Sequence, residues 1–67
     1  MNTKDAKIKF KGHVYDARTN TTIRSVLKDL NFQPDAHLII RDGVLITDDE
    51  MLKDGDTIQL IPVISGG

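Results

Sequence analysis

From Lys7 the chain alternates charged and apolar residues, with Ile8 and Phe10 on one side and Lys7, Lys9 and Lys11 on the other. That is the period of a strand with one dry face. Gly12 suits the positive φ of a tight turn, and HVYDA then returns as a second strand. Alternation alone allows either Val14 or Tyr15 to point inward. Tyr15 is preferred, because Ala17 then shares its face while Asp16 stays in water. An N-terminal β-hairpin is therefore expected, preceded by a disordered segment over residues 1–6.

The period then changes. In TTIRSVLKDLN, Ile23, Val26, Leu27 and Leu30 fall at the spacing of one helical stripe. Thr21 or Thr22 can cap its start, and Asn31 can stop it before Pro34. HLIIRDGVLI reads as a second hairpin around Asp42 and Gly43, a dipeptide suited to a type I′ turn. TDDEMLKDGD is polar and turn-rich, with Asp48 or Asp49 placed to cap a short helical turn and Gly55 to supply a positive φ. TIQLIPV closes the pattern as a strand with Ile58 and Leu60 on one face and Gln59 and Ile61 on the other.

The order β, β, α, β, short β, β predicts an α+β fold, a mixed four- to five-stranded sheet packed on one main helix, with the first and last strands parallel at its centre. The expected core is Ile8, Phe10, Tyr15, Ala17, Ile23, Val26, Leu27, Leu30, Leu38, Ile40, Ile58 and Leu60. In that register Ile39 and Ile61 stand on the open face of the sheet. They are read either as β-branched residues favoured on any sheet or as a partner-binding patch. Pro62 lacks an N–H, so residues 63–67 are expected to project as a flexible tail ending in Gly66 and Gly67.

Sixty-seven residues set the scale of one small domain. There is no Cys, which excludes disulfides, thiolate zinc sites and a thiol nucleophile on the chain itself. Nine Lys plus Arg against ten Asp plus Glu give a formal charge of -1, so no global basic field draws it to nucleic acid or an anionic membrane. The start, MNTKDAK, lacks the apolar segment of a secretory signal, and a cytoplasmic location is expected. His13 and His37 have no second ligand at metal spacing. Asp48, Asp49, Glu50, Asp54 and Asp56 do not fit a calcium loop and read as turn and cap residues or an acidic docking patch. Lys4, Lys7, Lys9 and Lys11 read as a solvated strand face. No side chain is assigned a catalytic role, and the chain is not expected to be an enzyme.

Taken together, the hairpin, the TTIRSVLKDLN helix, the RDG turn and above all DGDTIQLIPVISGG resemble the ubiquitin-like β-grasp fold in its sulfur-carrier branch. That branch includes the small molybdopterin-synthase subunit, the thiamine-pathway sulfur carrier and prokaryotic ubiquitin-related modifiers. The resemblance implies that the Gly67 carboxylate is adenylated with ATP by a ubiquitin-activating-type adenylyltransferase. Sulfur from a persulfide donor then replaces the adenylate to leave a thiocarboxylate, for cofactor synthesis or tRNA thiolation. It also implies that Gly66, which follows Ser65 in the tail, forms a slender stem, since two residues without Cβ, Gly66 and Gly67, can thread a narrow active site. No bound cofactor is implied, because ATP belongs to the partner, and the free chain is expected to be monomeric. The alternative is a protein modifier joined through Gly67 to target lysines.

Overall fold

The computed structural model describes residues 6–63. Strand β1 (Ala6–Phe10) and strand β2 (His13–Ala17) form an antiparallel hairpin. Lys11 and Gly12 between them both have positive φ, 49° and 82°, the type I′ geometry that matches strand twist. Ala6 is fully buried opposite Ala17, so the ordered sheet begins one residue inside the segment expected to be disordered. Tyr15 and Ala17 face inward, and Val14 faces out.

A two-residue strand β3 (Thr21–Thr22) leads into helix α1 (Ile23–Asp29). The Thr22 hydroxyl accepts from the Ser25 N–H at 3.2 Å, while the Ile23 and Arg24 N–H groups donate to the carbonyls of Glu50 and Asp48, both at 2.9 Å. A helix start leaves such donors without intrahelical partners. Here a distant loop supplies two of them. At the other end Asn31 takes φ 68°, Phe32 N–H reaches the Leu27 carbonyl and Asn31 N–H that of Lys28, the paired bonds of a Schellman stop. Ile23, Val26 and Leu27 are buried, as their spacing predicts.

After a 3-10 turn at Pro34–Ala36, strand β4 (His37–Arg41) and strand β5 (Val44–Ile46) form the second hairpin across Asp42 and Gly43, whose φ values are 56° and 78°. Strand β6 (Met51–Leu52) pairs with β3, and strand β7 (Thr57–Pro62) ends the described fold. The main sheet runs β2-β1-β7-β4-β5, with β1 and β7 parallel at its centre. One face packs on α1. The chain has the expected mixed sheet of five strands on one helix.

The phase of β4 is the opposite of the expected one. Ile39 is 4% exposed and belongs to the core, whereas Leu38 is 42% exposed and Ile40 is half-buried on the open side. Pairing explains this, because residues directly opposite in a sheet share a face. Ile39 lies across from Leu60 and from Ile46, both on the helix side, while Leu38 lies across from Ile61. Leu52, in a stretch expected to be turn, is also fully buried and completes the core beneath β3. No helical turn forms at Asp48 and Asp49; the chain makes a turn closed by Glu50 N–H on the Thr47 carbonyl.

Candidate functional site

Of the residues singled out for function, the structure places Ile61 near the end of β7, on the face of the sheet turned away from α1. Strand β7 is central, flanked by β1 and β4, with Ile58 and Leu60 buried beneath it. Its last residue, Pro62, lies across from His37. Val63 N–H still donates to the Ala36 carbonyl at 2.9 Å, so the backbone is held one residue further than the ladder-breaking Pro62 suggested. Ser65, Gly66 and Gly67 lie outside the described residues.

Register and alternation define the open face row by row. Asp16, Lys7 and Thr57 form one row; Val14, Lys9, Gln59, Ile40 and Leu45 form the next, across all five strands; Ile61 and Leu38 form the third. At about 4.8 Å between strands, the middle row spans about 19 Å. Ile61 stands on this face, 37% exposed, as its alternation predicts. Ile39, placed there by the sequence reading, is beneath the sheet instead. Its position in the patch is taken by Leu38, with Ile40 and with Leu45 at 62% exposed. Val63 adds a further exposed apolar side chain beside the strand end. The patch is therefore larger than the pair Ile39 and Ile61 and lies on the β4–β5 side of β7.

Beneath that end of the sheet sits an aromatic cluster. Phe10 and Phe32 rings meet edge to face at 5.0 Å between centroids, His37 packs against both, and Tyr15 packs on Phe32 at 5.6 Å. Such offset contacts stabilise beyond the area they bury, by about 0.5–1.5 kcal/mol per pair. The His37 Nδ1–H donates to the Gln33 carbonyl at 2.9 Å, which fixes the ring's orientation. His37 is thus part of the platform under the strand end.

At the far end of β4, Arg41 points to the helix side of the sheet and is 21% exposed by side chain. Its guanidinium donates to the Met51 carbonyl at 3.1 Å, to Asp56 at 3.2 Å and to Glu50 at 3.2 Å. Asp56 also accepts from Lys53 N–H. Two of the acidic residues of the polar loop are thus engaged in fixing β6 and the approach to β7. Asp48 forms a two-pronged pair with Arg24, at 2.9 and 3.1 Å, and this hydrogen bonding holds its carboxyl below the ordinary value. Among the described residues no cluster of His, Cys, Asp or Glu is placed to hold a metal ion. No helix among them is long and apolar enough to cross a membrane.

The arrangement offers a central strand that ends beside an exposed apolar patch. A family profile, that of the ThiS family, matches residues 3–67. The chain is 29% identical over 52 residues to the sulfur carrier protein TtuB of Thermus thermophilus, covering 78% of this chain and 80% of that protein. In three dimensions it matches the solution structure of the N-terminal ubiquitin-like domain of the 4931431F19Rik protein, with a TM-score of 0.66 at 20% identity, over 94% of this chain and 77% of that one. At that identity the likeness speaks for the fold alone.

Proposed function

The chain belongs to the ThiS family, and on that premise we propose that it is a sulfur carrier whose Gly67 carboxylate bears the sulfur. The observation that carries the reading is the family match, which runs through Gly66 and Gly67, joined by the likeness to TtuB.

The chemistry follows from the acid itself. A terminal carboxyl has a reference pKa of about 3.3–3.7, so near neutrality it is an anion and a poor electrophile. A partner adenylyltransferase of the ubiquitin-activating type brings ATP. One carboxylate oxygen attacks the α-phosphorus, pyrophosphate leaves, and an acyl-adenylate results. The outer sulfur of a persulfide adds to the acyl carbon and AMP departs. A thiol then cleaves the sulfur–sulfur bond, being oxidised to a disulfide, and leaves the thiocarboxylate on Gly67. The carrier acts as a group-carrying cofactor, and delivers its sulfur to an enzyme of cofactor synthesis or tRNA thiolation. Ser65 and Gly66 serve as its narrow stem, since neither carries a bulky side chain into the partner's channel.

Ile61, Leu38, Ile40 and Leu45 are the surface on which the activating enzyme docks. An exposed apolar face on one side of the strand that leads to the tail supports this, because binding energy gained there offsets the entropy lost when the tail is threaded. The test is ATP–pyrophosphate exchange by the cognate adenylyltransferase. The wild-type chain supports exchange, and deletion of Gly67 or Gly67→Val abolishes it with no change in melting temperature, since the buried core lies between Ala6 and Leu60. Exchange undiminished by loss of Gly67 would overturn the reading.

A further inference from the structure

The open face is uneven in charge. Asp16, its one carboxylate among the described residues, is paired with Lys7. Lys9 also stands on this face, and makes no ion pair among the described residues. Among the described residues the remaining acids are on the helix side or in loops, where Asp29, Asp48, Glu50 and Asp56 engage Arg18, Arg24 and Arg41. A chain of net charge -1 thus presents a sheet face that is apolar on the β4–β5 side and, on the other, carries Lys9 beside the neutralised pair Lys7–Asp16.

Lys9 shares the middle row with Gln59, Ile40 and Leu45, so two strand spacings, about 10 Å, separate its Cα from that of Ile40. A groove lined by Lys9, Lys11, His13, Val14 and Gln59 runs beside it, at the same end of the sheet as Ile61. From this juxtaposition we infer that the partner seated on the open face is a protein whose apolar contact surface carries an Asp or Glu opposite Lys9, about 10 Å from the apolar centre. This rests on the carrier reading and adds the chemistry of the partner.

Charge complementarity selects this occupant. Two copies packed face to face would offer Lys9, among the described residues, no carboxylate but Asp16, which Lys7 already engages. Among the described residues the patch displays only aliphatic side chains, Ile61, Leu38, Ile40 and Leu45, with no exposed Phe, Tyr or Trp on which a base could stack, which disfavours a nucleic acid. A charge at the rim of an apolar contact acts chiefly on the rate of association and its salt dependence.

The experiment is the apparent KM of the chain in pyrophosphate exchange by the cognate adenylyltransferase, measured at low and high salt. Lys9→Glu is expected to raise it about 10-fold at low salt, Lys9→Gln less, and the helix-face control Lys28→Glu not at all. The wild-type value is expected to rise with salt and the Lys9→Glu value to stay flat or fall. Circular dichroism checks that each variant is folded. A Lys9→Glu chain that reacts like wild type, while Gly67→Val does not react, overturns this inference and leaves the carrier reading standing. A wild-type chain that gives no exchange overturns both. Sedimentation of the chain alone as a dimer that Lys9→Glu dissociates would assign the face to a second copy and overturn the inference on its own.

Discussion

Leu38 of β4 lies directly across from Ile61 of β7, and both stand on the open face, one strand position from Ile39 and Leu60, which pair with each other in the core. Adjacent residues on the same two strands therefore divide between packing and display.

This register predicts opposite results for neighbouring substitutions. Ile39→Ala removes buried methyl groups and is expected to cost about 2–5 kcal/mol of stability. Leu38→Ala and Ile61→Ala are expected to stay within about 1 kcal/mol, while weakening activation by the adenylyltransferase. Urea unfolding measures the first quantity and pyrophosphate exchange the second. Equal destabilisation at Ile39 and Leu38 would contradict the register.

Arg41 carries a second prediction. Truncating it to Ala leaves Glu50 and the half-buried Asp56 without their cation and frees the Met51 carbonyl. A loss of about 1–3 kcal/mol is expected, because a partly buried acceptor is left unsatisfied. Arg41→Lys recovers only part of it, since a point charge cannot span three acceptors as the planar fork does. Full stability in Arg41→Ala would mean that the clamp is ornamental.

These two sites also explain how much was legible in the sequence. Both hairpins, the helix and the parallel centre followed from Gly12, from Asp42 and Gly43, and from the stripe Ile23, Val26, Leu27 and Leu30, because each signal is local. The phase of β4 was not legible. The run LII is apolar in both phases, and placing Leu38 and Ile40 inward has the merit of leaving Arg41 in water. The fold chooses the other phase because Glu50, Asp56 and the Met51 carbonyl, nine to fifteen residues away, satisfy the guanidinium. Leu52 was hidden for a similar reason: it lies in a turn-rich, largely polar stretch, and only pairing with Thr21 and the bond from Asn20 N–H to its carbonyl make it a strand. For the site, Ile61 was readable by alternation from Ile58 and Leu60. Its partner Leu38 was not, since it depends on the same unreadable phase.

The Arg24–Asp48 pair predicts an acid-limb effect. Asp48 has its carboxyl pKa lowered from 3.8 in the folded chain by the hydrogen bond from Arg24. The unfolded state therefore takes up the proton first as pH falls. The pair's contribution is fully present above the unfolded value and is lost as pH drops through the lower folded one. Between about pH 6 and pH 2, Asp48→Asn is expected to lose stability less steeply than wild type. Urea midpoints across that range measure the difference, and parallel curves would contradict it.

The central claim is that Gly67 carries sulfur. Intact-mass spectrometry of the chain after incubation with its adenylyltransferase, ATP, a persulfide donor and a thiol tests it most directly. The account predicts a species in which one oxygen is replaced by sulfur, mapped by fragmentation to Gly67, sensitive to alkylation and absent from Gly67→Val. A sulfur mapped to any other residue, or an unchanged mass under conditions where the enzyme thiocarboxylates a known carrier, would contradict it.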